Sequence, residues 1–393
     1  MWGFCFLATQ SLNWWAGAVT SVRDLFDFDE FPKISLPEDG IIVITRARNE
    51  MLRLPFFLEH YRSIGASHIF VVDNDSTDDT AAFLETQPDV TRFHTSKLYK
   101  QFKRNWLLAI LNEYCTDRWT ILADTDEQFV YPGWPETKLT DLTAYWDSVG
   151  AEGVIAPLID MYSDKPLVDV DYRQGDPFLS TCPYFDTTSS WAITRSPEGR
   201  TPGFEVRGGI RGRLFGIPPK RRELFPLNHL RNLYLAPAHI HRRLPLRDYV
   251  ERRLKRFLYK QCPQLTKVPL IRWNPTYSEM WSVHRIDIRT RLADDWGAML
   301  HFKFFQDFKF RVEEELTRQA YYANGLEYKA YYEGLEKILH QSPAYSGSMK
   351  LSSVEDVYTF RQAYCSRELQ KYLKHLAQQP HVTTSPSQKG VVA

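Results

Sequence analysis

The sequence predicts an α/β protein built on a mostly parallel sheet flanked by helices, with a helical C-terminal extension. Three observations carry this expectation. Short apolar runs at residues 41–44, 68–72 and 119–123 have the character of strands buried on both faces. The segments between them repeat apolar residues at helical spacing. Each run leads directly into a polar loop, so all three loops leave from the carboxyl edge of one parallel sheet, where ligands bind in such folds.

The elements follow in order. The turn signal Pro37-Glu38-Asp39-Gly40 precedes the first strand, and residues 45–50 read as a polar loop. Leu54, Phe57, Leu58, Tyr61 and Ile64 then mark a helix that tolerates Pro55 in its first turn and ends at Gly65. After the second strand, Ser76 and Asp79 resemble a capping box that opens a short helix through Leu84. Phe102, Trp106, Ile110, Leu111 and Tyr114 form the stripe of the next helix, and the third strand ends at Asp124-Thr125-Asp126-Glu127. Pro132, Gly133 and Pro135 argue against a helix just downstream. One more strand is expected at residues 153–158, in a middle region rich in Gly, Pro and Arg. A basic amphipathic helix is expected at 246–259, and helices from 302 to about 376, broken at Gly325 and around 343–347. The divisions expected are an N-terminal extension (1–39), the α/β domain (40–305), a helical region (306–377) and a polar, disordered tail (378–393).

Composition bounds the function. The 393 residues are 43% hydrophobic and 25% charged, as in an ordinary globular protein. A formal net charge of +1 gives no bulk attraction to nucleic acid or to an anionic membrane, so substrate charge must be met locally. The five cysteines show no metal-ligand spacing and an odd count, which predicts reduced thiols and a cytoplasmic location. Residues 2–19 are too short and polar to span a bilayer and lack a signal-peptide pattern. Peripheral membrane contact is left open, and oligomeric state is not specified.

Four Asp-x-Asp triplets occur, at Asp27/Asp29, Asp73/Asp75, Asp124/Asp126 and Asp169/Asp171. Only the second and third follow a buried strand. Asp73 and Asp75 suit helix capping and ligand binding equally. For Asp124 and Asp126 capping is the weaker explanation. Adjacent carboxylates repel unless a cation or a donor-rich ligand lies between them, so a hard divalent ion fits there. Arg207, Arg211 and Arg213, among Gly208, Gly209 and Gly212, could meet a leaving group's charge, with the glycines allowing close backbone approach. His239 and His241 lie two apart, His284 follows Trp281-Ser282, and His301 sits in an apolar run with Phe302, Phe304 and Phe305, where a lone histidine is more often a core residue than a ligand.

Residues 41–50 with the helix after them, 71–80 and 123–132 together resemble the donor-binding half of family 2-type glycosyltransferases with the GT-A fold. Segments 208–215, 267–273 and 300–304 resemble a bacterial subgroup of family 2-like enzymes. The resemblance spans roughly residues 40–310. It implies a GT-A-type sheet with a Rossmann-like donor half and a nucleotide-sugar donor. It further implies a glycan or glycolipid acceptor, polysaccharide biosynthesis and Mn²⁺ or Mg²⁺. Mapped onto this chain, Arg46, Asn49, Glu50, Asp73 and Asp75 would face the nucleotide, Asp124 and Asp126 would meet ribose and metal, and the late histidine that such enzymes recruit as a third metal ligand would be His284 or His301. An inverting transfer also needs a base for the acceptor hydroxyl. The family's Glu-Asp or Thr-Glu-Asp signature is absent, which leaves Asp160, Asp164, Asp186 and Glu205. Glu205 adjoins the Gly/Arg loop, and Asp186 is next in line.

Two other readings compete. A nucleotidyltransferase would favour a glycine-rich phosphate loop after the first strand, and residues 45–50 contain no glycine. A degenerate fold that binds a sugar nucleotide or a partner without catalysis accounts for the missing base signature. Intact Asp124 and Asp126 argue against it.

Overall fold

The computed structural model describes residues 21–28, 32–37, 40–196, 201–216, 262–276, 280, 282–318 and 326–378. The expected helix at 246–259, His239, His241, the break at Gly325, the whole of the 2–19 segment and the tail beyond residue 378 lie outside them. The elements begin with α1 (Val22–Leu25), β1 (Ile41–Ala47), α2 (Leu54–Ser63), β2 (Ala66–Asp73), α3 (Thr80–Glu85) and β3 (Val90–His94). Next come α4 (Tyr99–Tyr114), β4 (Trp119–Leu122), β5 (Glu127–Val130), α5 (Leu139–Ser148), β6 (Gly153–Ile155) and β7 (Leu158–Tyr162). Then α6 (Phe178–Thr181), β8 (Tyr184–Asp186), β9 (Ala192–Arg195), β10 (Phe204–Arg207), α7 (Gly209–Phe215) and β11 (Leu270–Arg272) follow. The C-terminal part holds β12 (Leu292–Trp296), β13 (Ala298–His301), α8 (Phe308–Arg318), α9 (Leu326–Gly334), α10 (Glu336–Leu339), β14 (Ser348–Lys350), α11 (Glu355–Thr359) and α12 (Arg367–Gln378).

The fold is a mixed α/β arrangement in which a mostly parallel sheet is flanked by helices. Its seven strands run in the order β12-β6-β11-β4-β1-β2-β3. β1, β2, β3 and β4 are mutually parallel, and β11 is antiparallel to both of its neighbours. Ile42, Val43, Phe70, Val71 and Ile121 are fully buried because β1, β2 and β4 are covered on both faces. A second sheet, β14-β8-β7-β13-β5, packs beside the first. One large apolar cluster spans the sheet and its helices, and a smaller one forms where Phe304, Phe308 and Val312 meet Tyr331 and Leu335.

Several elements differ from expectation for local reasons. β1 runs on through Thr45, Arg46 and Ala47, which pair with Val71, Val72 and Asp73, so the polar loop begins only at Arg48. The edge strand β3 was not anticipated, because among its five residues only Phe93 is buried and no apolar run marks it. The single strand expected at 153–158 is two. The chain leaves β6 at Ala156-Pro157, where proline has no N–H for a ladder, and joins the second sheet as β7. The Ser76/Asp79 capping box does not form. Asp78 instead accepts the N–H of Thr80 (3.0 Å) and of Met51 (3.2 Å), serving two helix starts.

Gly208 has φ +133°, and a Cβ there would lie 2.2 Å from the Ser190 carbonyl oxygen. Its close approach is therefore to backbone of this chain rather than to a ligand. Gly208→Ala should cost about 1–3 kcal/mol of stability, read as a lower urea midpoint. An unchanged midpoint would show that the loop's backbone angles are not enforced.

Candidate active site

The site is assembled by strand register. β13 lies between β5, to which it is antiparallel, and β7, to which it is parallel, and His301 sits opposite Glu127 on one side and Asp160 on the other. The His301 Nδ1–H donates to Asp160 Oδ1 (2.6 Å), and Nε2 points at Asp126 Oδ2 (3.3 Å). Arg211 of α7 neutralises Asp160 from behind through Nε (2.8 Å). His301, Asp160 and Arg211 are all buried. Burial works to lower the His301 imidazole, but the carboxylates of Asp126 and Asp160 outweigh it and raise it. Burial likewise opposes ionisation of Asp126, and His301, with Lys303 and Arg53 farther out, holds its carboxyl well below the usual range.

Asp126, Glu127 and His301 each offer one ligand atom, and these atoms lie within 4.8 Å of one another. Two carboxylate oxygens and an imidazole nitrogen suit a divalent ion, and the Asp160 bond is the kind of outer contact that fixes a ligating imidazole's tautomer. Asp124 stands beside this group rather than in it. Its carboxylate accepts from Arg46 Nη2 (2.9 Å), its own N–H donates to Glu127 Oε2 (2.8 Å), and Lys267 ion-pairs with the same Glu127 oxygen. Glu127 was missed from sequence although it adjoins Asp126. Only the pairing of β5 with β13 shows that it faces His301.

Two cavities meet at this row and share Arg46, Tyr99, Asp124, His301, Lys303 and Tyr328 in their walls. The first, about 470 Å³, opens over the carboxyl ends of β1 and β2 and is roofed by α8. The second, about 520 Å³, lies between α4, α7, α9 and the approach to β11.

The sequence candidates divide accordingly. Arg46, Asn49, Glu50, Asp124, Asp126 and His301 border the first cavity, and Arg211 and His284 border the second. Asn49 and Glu50 are also framework. Asn49 Oδ1 accepts the Thr77 N–H (2.7 Å), and Glu50 is ion-paired to Arg311 (2.7 Å). Asp73 is fully buried, held by Arg92 Nε (2.8 Å) and the Ser76 N–H (3.0 Å), and has no face toward either cavity. Asp75 is turned toward Arg48 and His94 and lines neither. His284 is not part of the metal group. Its Nδ1 lies 2.6 Å from the Thr266 carbonyl, and burial lowers it to about 4.

None of the four carboxylates nominated as base lines either cavity. Asp160 is spent on His301 and Arg211. Asp186 is buried against Arg213 (3.0 Å) and Tyr162, which also takes Arg213 out of the cleft, and Asp164 is exposed beyond β7. Glu205 is buried beside Arg207 and Arg285. Glu327 on α9 does line the second cavity, accepting from the Tyr331 hydroxyl and standing 3.5 Å from Arg211 Nη1.

No protein-family model and no curated protein matches the chain. Among solved structures it is similar to a UDP-glucose pyrophosphorylase complexed with UDP-glucose, at 10% identity and TM-score 0.24, over 43% of this chain and 68% of that one. HddC from Yersinia pseudotuberculosis matches at 10% and 0.24, over 43% and 70%. Glucosyl-3-phosphoglycerate synthase from Mycobacterium tuberculosis, in complex with Mn²⁺, UDP and glucosyl-3-phosphoglycerate, matches at 12% and 0.21, over 59% and 91%. Likenesses this distant carry no argument about chemistry, which rests on the geometry.

The roof is tied down by charge. Arg53, buried at the start of α2, bonds both Asp307 oxygens at 2.7 Å, and Arg311 bridges Asp307 (2.6 Å) and Glu50. Burial works to raise the Asp307 carboxyl, and Arg53, with Arg311 behind it, more than offsets this and holds it well below the ordinary range. A lowered carboxyl stabilises the fold above its unfolded pKa, near 4, and loses that contribution as pH falls toward the folded value. Asp307→Asn should therefore cost about 2 kcal/mol at neutral pH, with the gap to wild type shrinking below about pH 4. Urea unfolding of both proteins across that range checks this, and a gap independent of pH would contradict it.

Proposed function

We propose that the chain is an enzyme, a metal-dependent inverting glycosyltransferase of the family 2 type that moves a sugar from a nucleotide-sugar donor to an acceptor hydroxyl on a glycan or glycolipid. The observation that carries this reading is the Glu127–His301–Asp160 row with Asp126 beside it, set where a cleft crosses the ends of β1 and β4. In this reading Asp126, Glu127 and His301 hold Mn²⁺ or Mg²⁺, and Arg46, Arg48 and Asn49 border the donor nucleotide. The ion supplies charge neutralisation for the departing nucleoside diphosphate. Asp124 orients Arg46 and would face the ribose. Arg46 and Arg48, which line the first cavity, add positive charge where the leaving group's negative charge develops.

The base for the acceptor hydroxyl passes to Glu327. It is the candidate carboxylate that opens on the second cavity without belonging to the metal group or to the Arg46 pair. The cytoplasmic location read from the cysteines belongs to the same proposal. Cys115, Cys182, Cys262 and Cys365 are free thiols, and no described helix is long and apolar enough to cross a membrane.

The test is a thermal-shift screen against UDP, GDP, CMP and dTDP sugars, each with and without Mn²⁺. Ligand at a hundred times its Kd should add about 2.7 kcal/mol of stability. The expectation is a rise for one nucleotide, seen only with metal and lost in Asp126→Ala, whose fold is retained. Equal affinity in wild type and Asp126→Ala would remove the metal assignment, and no rise with any pair would remove the donor reading.

A further inference from the structure

The two cavities differ in charge. Among described residues, the first is lined by six basic side chains and seven carboxylates, and the second by seven basic side chains and only three carboxylates. An acid excess must be offset by a cation before a diphosphate can enter, which is the situation on the Asp126 side. A base excess calls for an anion instead. Each carboxylate of the second cavity already faces a cation: Asp124 faces Arg46, Glu127 faces Lys267, and Glu327 stands near Arg211.

Three cationic groups still have donors to offer a ligand. Lys103 of α4 and Lys303 have no carboxylate within ion-pair distance among the described residues. Their ammonium groups lie instead over aromatic rings, Lys103 at 5.4 Å from the Tyr99 centroid and Lys303 at 5.5 Å from that of Tyr328. Arg211 is buried, and its Nη2 has no hydrogen-bond partner. A buried guanidinium N–H without an acceptor costs free energy that a ligand oxygen would recover. A planar carboxylate could be satisfied by one guanidinium, whereas cations arriving from α4, α7 and the end of β13 suit a dianion with three oxygens. Leu107, Leu108, Phe215, Met280 and Val283 complete the wall and leave apolar room for a carbon framework.

We propose that the second cavity is the acceptor pocket and that it takes a small acceptor carrying a phosphate monoester, held by Arg211, Lys303 and Lys103. This rests on the transferase reading above for the word acceptor, and narrows that acceptor from a glycan or glycolipid to a small phosphorylated molecule; the anion site itself does not rest on that reading. The cavity's size, about 520 Å³, is that of a small-molecule site.

Calorimetric titration of the purified chain with inorganic phosphate in EDTA tests the anion site free of any metal-bridged diphosphate. The expected result is one bound phosphate, weakened about tenfold in Lys103→Gln, a half-buried position whose substitution leaves the core alone. Arg211→Gln should abolish binding, and Lys103→Gln keeps the test decisive if that variant fails to fold. Phosphate should bind equally well when UDP and Mn²⁺ are present. No phosphate binding, unchanged binding in Lys103→Gln, or displacement by UDP with Mn²⁺ would overturn the proposal. Phosphate binding without any UDP binding would remove the donor reading and the acceptor role with it. Glycerol 3-phosphate should compete with phosphate. Binding only to phosphatidylcholine vesicles containing phosphatidic acid would overturn the small-molecule assignment.

Discussion

His301 occupies the register position where three strands from distant parts of the chain meet, and the rest of the site depends on that pairing. β5 presents Glu127, β7 presents Asp160, and β13 carries the imidazole between them. Buried charges are tolerated only when paired, and removing one partner leaves the other uncompensated at a cost of several kcal/mol. The row meets this condition by continuing outward, with Arg211 on Asp160 and Lys267 on Glu127. The imidazole is thereby fixed with Nδ1 spent and Nε2 directed at Asp126. Slipping β13 by one residue would turn His301 to the opposite face and dissolve the arrangement.

The same row separates two spaces with different demands. Over β1 and β2 the cleft is rich in both signs of charge, and its roof is held by the Arg53–Asp307–Arg311–Glu50 network. Helix α8, which lies just beyond the domain boundary expected near residue 305, is ion-paired across it to the loop after β1. On the other side, α7 and α9 bring the smaller apolar cluster against the cleft and deliver Arg211 and Glu327. Packing of the C-terminal helices thus shapes the wall of a site whose acidic centre belongs to the sheets.

Legibility from sequence followed the range of the interaction. β1, β2, β4, α2 and α4 were readable because each is buried over a continuous run or a helical stripe. β3 was not, since an edge strand with one buried residue leaves no such pattern. Asp124 and Asp126 stood out by following a buried strand with no helix start just behind them to explain them as caps, which set them apart from Asp73 and Asp75 as well as from the other two triplets. Their partners did not stand out, because Asp160 and His301 are 141 residues apart in the chain and only strand register joins them. Asp73, Asp75 and Glu50 have the right residue type at the right strand ends. Nothing local reveals that Arg92, Arg48 and Arg311 reach them. Glu205 adjoins the Gly/Arg loop and Asp186 lies upstream of it, yet that loop turns its arginines inward to pair with both and with Asp160.

The most direct test of the central claim, that this row positions a divalent ion for a nucleoside diphosphate, is a crystal structure with Mn²⁺ and UDP, read by manganese anomalous scattering. The account predicts one peak at coordination distance, about 2.0–2.3 Å, from Asp126 and His301 Nε2, with diphosphate oxygens completing the shell. A peak elsewhere, or UDP bound in the cleft with no metal at Asp126 and His301, would contradict it.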